Sequence, residues 1–396
     1  MMISLANVQY ARKNIEPFIH KTPLIHSNSL SMLSGAEVYL KLENLQKTGS
    51  FKVRGAFHKL TSVREGSVIA ASMGNHAQAV AFAAQKLGKS AKIVMPTTAP
   101  LVKQEATQGY GGDVILFGEK FSDALDHALS HPGHVFIHAF DDDEIMAGQG
   151  TIGLEILDDL QDIDVLFVPV GGGGLIAGIA TAVKSLSPKT KVIGIQTESA
   201  PSAFVSFNEK KITERIPLPT IADGIAIGKV GEKTSKVINA CVDDMILVKE
   251  DSIAQAILLF LERKKLVVEG AGAVTLAALL ENRERLRGKR AVLVLSGGNI
   301  DFTIVDRIIR KGLVKSGRVG MFEVMISDYP GSLCSVAGVL ATQRANILDV
   351  AHDQFAGDIP VGKARVTFTV EIRGKKHLGE IITTLVQQGY EVREKA

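Results

Sequence analysis

Val165-Leu166-Phe167-Val168-Pro169-Val170-Gly171-Gly172-Gly173-Gly174-Leu175-Ile176-Ala177 is the stretch whose reading decides the fold. Its first six residues are apolar with no polar alternation, the pattern of a strand buried on both faces. Four glycines end the run, and residues 175–186 then repeat apolar side chains at helical spacing. A buried strand, a glycine turn and a helix in succession belong to an α/β fold with a parallel sheet. Glycines let the backbone approach a ligand with no Cβ in the way. The amides at the helix start, aided by its dipole, make an anion site. No lysine follows as in GxxxxGK[ST], so a nucleoside-triphosphate P-loop is not matched. Gly172, Gly174 and Ala177 do fit GxGxxA, and Glu198 closes the next strand where a ribose-binding acid would stand. A dinucleotide site is therefore a competing reading of this loop.

The same rhythm extends both ways along the chain. Strands are predicted over 37–42, 68–72, 92–95, 113–117, 134–138, 191–197 and 290–295. Helices are predicted over 51–60, 75–87, 121–129 and 149–160. Their alternation implies parallel sheets covered on both faces. Residues 200–230, with Pro201, Pro217 and Pro219, read as loops. After residue 316 the style changes to strand (320–326), helix (332–344), strand (347–353), strand (362–372), helix (376–388) and strand (390–393). That βαββαβ order is a ferredoxin-like unit, with 311–317 as the expected linker.

Composition narrows the function classes. The 396 residues carry 45 basic and 42 acidic side chains, a net charge of +3. That is too balanced for the basic footprint of a nucleic-acid partner. Two cysteines, Cys241 and Cys334, exclude a disulfide scaffold and a Cys-based zinc site, and suit a reducing, cytoplasmic compartment. No apolar run reaches the roughly 18 residues that span a bilayer. Residues 1–20 contain Arg12, Lys13 and Glu16 and no apolar core, so no signal peptide is expected.

Four segments carry the chemistry: Ser50-Phe51-Lys52, Ser72-Met73-Gly74-Asn75-His76, the tetraglycine loop and Ser296-Gly297-Gly298-Asn299. Each follows an inferred strand, and ligands of open α/β sheets bind beyond the carboxyl ends of strands, so the four converge on one crevice. Lys52 stands at a helix start between Phe51 and Val53. The dipole and desolvation there both lower an amine pKa, and a neutral amine forms a Schiff base.

These segments, with Lys47-Thr48-Gly49 ahead of Ser50, Val53-Arg54-Gly55-Ala56 after Lys52, and Gly148-Gln149-Gly150-Thr151, resemble the fold-type II pyridoxal-phosphate enzymes. Within them the chain is most similar to the threonine dehydratases (threonine ammonia-lyases) that carry one C-terminal ACT domain. The resemblance accounts for every loop, whereas a dinucleotide site accounts for one. It implies a tryptophan synthase β-like catalytic domain over 1–316, with a smaller open parallel-sheet subdomain at about 47–150 inserted, and an ACT domain over 317–396.

Residue by residue, Lys52 matches the Schiff-base lysine that also moves the α-proton, and Phe51 packs near the cofactor ring. Asn75 matches the partner of the cofactor's 3-hydroxyl. Gly171, Gly172, Gly173, Gly174 and Leu175 match the phosphate cradle. Ser296 matches the serine at the pyridine nitrogen, and Gly224 a cofactor-contacting position. Ser72, Gly74, Asn75 and His76 fall in the loop that resembles the substrate-carboxylate binder. The implied reaction is β-elimination of L-threonine to 2-oxobutanoate and ammonia, in isoleucine biosynthesis or threonine catabolism, with L-serine giving pyruvate. A serine dehydratase or serine racemase of the same fold is the alternative. The racemases carry an acid/base serine where Met73 stands here, and a thioether moves no proton. Relatives that bind a divalent cation use a Glu and an Asp six residues on; Glu198 fits, but Phe204 replaces the Asp, so no metal is expected. In the C-terminal unit, Asp328, Gly331, Ser332 and Leu333, with Asn346 from a partner copy, resemble an amino-acid effector site. The resemblance further implies a homo-oligomer, dimer or tetramer, with no membrane partner.

Overall fold

In the computed structural model, which describes residues 2–395, the apolar runs form three sheets. The expected ranges begin at Met1 and end at Ala396, which lie outside the described residues. The largest sheet has the spatial order Leu24–His26, Glu37–Lys41, Arg290–Val294, Val165–Pro169, Lys191–Thr197, Asp244–Val248. Only its first pair is antiparallel; the remaining pairs are parallel. Every residue of Val165–Pro169 is buried, as an uninterrupted apolar run requires. Helices Asp143–Asp159 and Gly174–Leu186 cover it, packing Ile152, Ile156, Ile176 and Ile179 onto Leu166 and Val168. Each such side chain contributes about 1.5–3 kcal/mol when fully buried.

The second sheet has the order Asp113–Leu116, Ser90–Met95, Ser67–Ala71, Val135–Phe136, all parallel. Its strands come from one continuous span of sequence, and the larger sheet takes strands from both sides of that span. One helix, Asp143–Asp159, locks two neighbouring helices together through glycines. A Cβ on Gly148 would lie 2.7 Å from the Gly55 Cα in helix Lys52–Ser62. A Cβ on Gly150 would lie 2.7 Å from the Gly178 carbonyl oxygen in helix Gly174–Leu186. Gly148-Gln149-Gly150 therefore sets the spacing between the Lys52 helix and the tetraglycine helix. Gln149 adds a hydrogen bond, its Oε1 accepting from the Gly55 amide at 3.3 Å.

In the same helix as Lys52, Arg54 belongs to a buried set of charges. Arg54 donates to Glu43 (Nη2–Oε1 2.8 Å) and Glu155 (Nη1–Oε1 2.6 Å), and Lys41 donates to Glu155 at 2.6 Å. Burial pushes the Glu43 carboxyl up, but Arg54 beside it wins and holds it below the usual range. Two cations thus meet two anions, joining the Lys52 helix to the large sheet and to Asp143–Asp159.

The chain divides into compact units Met1–Asp301 and Phe302–Ala396. The second unit opens with helix Phe302–Lys315, which occupies most of the expected linker; its apolar positions lie at helical spacing and bury Val305 and Ile308. An antiparallel sheet follows, in the order Asn346–Asp353, Lys363–Glu371, Val319–Ser327, Glu391–Lys395, with helices Ser332–Thr342 and Lys375–Gln387. This is the βαββαβ order read from the sequence. Elsewhere the structure departs from it. Ser202–Glu209 is a helix inside the span read as loops, begun by Pro201, which suits a helix start. The strand Asp244–Val248 was not among those predicted; two aspartates precede its short apolar run. Among the described residues no helix is long and apolar enough to cross a membrane.

Candidate active site

The four motifs meet in the first unit. Ser50 pairs with Gly297 in an isolated antiparallel bridge, and the Phe51 amide donates to the Ser296 carbonyl at 3.0 Å. The Asn299 amide nitrogen donates to the Thr48 carbonyl and to Asn75 Oδ1, each at 2.8 Å. One side chain of the fourth motif therefore holds the first and second.

Lys52 is the first residue of its helix and is half-buried. Its Nζ donates to the Ala139 carbonyl at 3.0 Å and lies 5.3 Å from the Phe51 ring centre. Burial lowers its pKa to about 8, against the opposing pull of Glu269. The neighbour of its acceptor, Phe140, forms a wall of the tetraglycine loop. A Cβ on Gly172 would lie 2.4 Å from Phe140 ring carbons, and one on Gly174 2.9 Å from the Phe140 carbonyl. Gly173 has φ +95°, a left-handed conformation that favours glycine, and caps helix Gly174–Leu186. Thr234 Oγ1 donates to the Gly172 carbonyl at 2.7 Å and fixes the loop from behind. The first-turn amides of that helix, including Leu175, have no carbonyl one turn back within the helix.

Gly224 lies between the loop and the site: its carbonyl is 3.6 Å from where a Gly171 Cβ would stand, and its own Cβ would lie 3.5 Å from Glu269 Oε1. Gly74 caps helix Asn75–Lys86, with open space where its Cβ would be. Its amide donates to Ser72 Oγ at 3.2 Å. His76 turns its ring inward, Nε2 meeting the Ile137 carbonyl at 2.9 Å, and burial lowers its pKa to about 3. A neutral ring there braces the second sheet, and what His76 offers the loop is its backbone amide.

Sequence reasoning missed Glu269. Both its oxygens accept from Asn75 Nδ2, at 3.0 and 2.9 Å. Burial pushes its pKa up to about 7, Asp223 adding to the rise while Asn75, Lys52 and Lys103 oppose it. The available signal was a single acid in Val267-Val268-Glu269-Gly270-Ala271-Gly272, an apolar, glycine-rich helix start. Phe140 and Ala139 were also missed, because their roles arise only from the fold. Glu198 is exposed, and among the described residues no three metal-ligating side chains gather.

The residues expected to form an effector site are placed less compactly. Gly331 (φ +98°) caps helix Ser332–Thr342, and Asp328 accepts from Gln354 at 2.8 Å. Within one copy Asn346 lies at the other end of the sheet: it pairs with Glu371, which pairs with Val319.

A depressed lysine amine, glycine amides at a helix start, an oriented asparagine amide and a buried serine fit a group with an aldehyde, a phosphate and a hydrogen-bonding ring. The comparisons with known proteins agree. A family model described as pyridoxal-phosphate dependent enzyme matches residues 15–297. The L-threonine ammonia-lyase of Thermotoga maritima is 48% identical over 399 residues, 99% of each chain. The processed form of threonine deaminase isoform 2 from Solanum lycopersicum is 38% identical with TM-score 0.74, covering 77% of this chain and 86% of its own. Maize serine racemase is 32% identical with TM-score 0.73, covering 80% of this chain and 99% of its own.

Proposed function

The chain belongs to the pyridoxal-phosphate-dependent enzyme family, and on that premise we propose that it converts L-threonine to 2-oxobutanoate and ammonia. L-Serine, giving pyruvate, is the secondary substrate. The observation that carries the reading is the Lys52 amine, held at a helix start beside the glycine loop with a pKa lowered to about 8. Threonine is chosen from the relatives' names. When bound, pyridoxal phosphate supplies an aldehyde for the substrate amine and a conjugated ring that spreads negative charge.

The chain's own residues do the rest. The amides of Gly171, Gly172, Gly173, Gly174 and Leu175 would hold the phosphate at the positive end of helix Gly174–Leu186. Asn75 would donate to the 3-oxygen, Phe51 would pack near the ring and Gly224 would leave room beside it. The hydroxyl of Ser296 would face the ring nitrogen and, being neutral, would not hold a proton on it, which would favour rapid elimination over transamination. The loop Ser72, Gly74, Asn75 and His76 binds the substrate carboxylate through the start of helix Asn75–Lys86. Lys52, partly neutral near pH 8, removes the α-proton; such positioned base help is worth about 10²–10⁴-fold. Met73 cannot return a proton on the opposite face. Oxoacid release from threonine and serine, with chiral chromatography for D-serine, tests the reading: oxobutanoate without D-serine is expected, and D-serine forming at the rate of elimination would make the chain a racemase.

The C-terminal unit is read as an ACT domain that binds an amino-acid effector. What supports this is its sheet order, the positive φ of Gly331, and a buried Ser332 hydroxyl with no hydrogen-bond partner at the same helix start. Asp328 and Leu333 flank that turn, and Asn346 joins it from a second copy when two sheets pair edge to edge. The enzyme is then a homo-oligomer, dimer or tetramer, and cytoplasmic. Kinetics with isoleucine or valine before and after deletion from Phe302 onward tests the assignment. Effector sensitivity lost with turnover retained is expected; identical kinetics with and without every amino acid would leave a dimerisation role alone.

A further inference from the structure

The proposed chemistry uses Lys52, Asn75 and the glycine loop and leaves Glu269 without a role, although Glu269 is built in with care. It is 3% exposed and caps helix Gly270–Glu281, its own amide donating to the Gly297 carbonyl at 3.0 Å. Its carboxylate occupies a slot that two glycines leave open. A Cβ on Gly297 would lie 2.4 Å from Oε1, and one on Gly224 3.5 Å. Both carboxylate oxygens point at one donor, Asn75 Nδ2. Asn75 cannot turn its amide over without losing Asn299, which donates to Oδ1. The donor is therefore fixed, and an anion already sits on it.

We propose that Glu269 is a positioning residue that reserves the Asn75 donor for an anionic oxygen: the cofactor's phenolate displaces the carboxylate, and Glu269 takes up a proton from solvent as it yields. This rests on the reading that Asn75 meets the cofactor's 3-oxygen. The physical reason is that two anions sharing one buried donor repel, and one of them neutralises. The phenolate gains the Asn75 hydrogen bond, and the proton moves from buffer to the carboxylate. A protonated carboxyl also has a hydrogen to donate, so repulsion between the two oxygens becomes attraction. The charged groups facing Glu269 are Lys52 from helix Lys52–Ser62, Lys103 from Leu101–Gly109 and Asp223 from Asp223–Ile225. Burial and, less, Asp223 favour the neutral form; the Asn75 hydrogen bond and the lysines favour the ionised one, and the balance leaves the pKa at about 7, so the proton is taken up around neutral pH.

The experiment uses the full-length protein freed of cofactor and 4′-deoxypyridoxine 5′-phosphate, which has the 3-oxygen and phosphate but no aldehyde. Calorimetric titration at pH 8 in two buffers of different ionisation enthalpy counts the protons exchanged. The natural protein should take up about one proton more than Glu269→Gln. Equal proton counts overturn the inference. Asn75→Ala separates it from the reading beneath it: if that variant binds the analogue as tightly as the natural protein, Asn75 does not meet the 3-oxygen and both fail. If Asn75→Ala weakens binding while the proton counts are equal, only the inference fails. Should Glu269→Gln not fold, Glu269→Ala takes its place in the same two-buffer titration, and a proton count equal to that of the natural protein overturns the inference.

Discussion

Two strands in this chain end in a glycine turn that opens a helix: Val165–Pro169 with its four glycines, and Val319–Ser327 with the turn at Gly331. Locally they are alike, each capping glycine having a positive φ, +95° at Gly173 and +98° at Gly331. Their surroundings differ. Around the tetraglycine loop a Cβ on any of the four would fall within 3.1 Å of a neighbour, whereas at Gly331 nothing lies within 4 Å. The first loop is shaped by what packs behind it, the second only by its own backbone. A site that must hold a reacting group to within fractions of an ångström needs the first arrangement; a turn that meets a ligand, or another copy, from outside needs the second.

The largest effect that tests this contrast is chemical. Lys52→Ala should lower oxobutanoate formation by at least about 10²–10⁴-fold and remove the absorbance of lysine-bound cofactor. The proposed amino-acid binding by the C-terminal unit, followed by calorimetry, should be unchanged. Turnover near that of the natural protein would remove Lys52 from the reaction.

The next effect is on folding. Arg54→Met leaves the buried Glu43 and Glu155 short of their shared cation. Breaking such a pair on one side typically costs about 3–5 kcal/mol. Hydrogen exchange, read by peptide, should show faster opening in the first unit and none in the second. A variant as stable as the natural protein would mean that Lys41 alone balances the two carboxylates.

A third effect depends on pH. Glu269 is raised in the folded protein to about 7 from an ordinary 4.5, chiefly by burial. As pH rises from 4.5 towards 7 the unfolded chain ionises first, so folding stability falls across that window and levels off above it. The shift corresponds to about 3 kcal/mol. The cofactor-free natural protein should lose about 2 kcal/mol of this relative to Glu269→Gln between pH 5 and 7.5 in denaturant unfolding. A constant difference would place an ionised carboxylate there throughout.

How far these features were legible in the sequence follows from how local they are. The tetraglycine loop and Lys52 are written in consecutive residues, as is the βαββαβ order of the second unit. Glu269 is not: its partner Asn75 is 194 positions away, and the slot around it is made by Gly224 and Gly297. His76 shows the same limit in reverse. Its place in the motif is plain, but only the fold reveals that its ring meets the Ile137 carbonyl. Only the last turn of helix Phe302–Lys315 was obscured, by Gly312 and the polar residues around it, which read as a linker over 311–317.

The smallest expected effect comes from the two glycine turns themselves. In Gly172→Ala the new methyl would stand 2.4 Å from Phe140 ring carbons. The ring has little freedom to retreat, since the Phe140 amide is tied to His138 Nδ1 at 3.2 Å and its carbonyl lies against Gly174. Overpacking of this kind costs about 1–3 kcal/mol. If the loop gives way, its amides leave the phosphate position, and cofactor affinity should fall by about 10- to 100-fold. In Gly331→Ala the methyl enters open space and only the positive φ resists it, a cost of about 1–2 kcal/mol. That cost falls on the C-terminal unit, so cofactor affinity should not change and effector binding should weaken modestly. Absorbance titration with pyridoxal phosphate, run on both variants, decides between packing and backbone as the source of each loop's shape. Unchanged cofactor affinity in Gly172→Ala would show that Phe140 yields, and that the wall behind the loop is not what holds it.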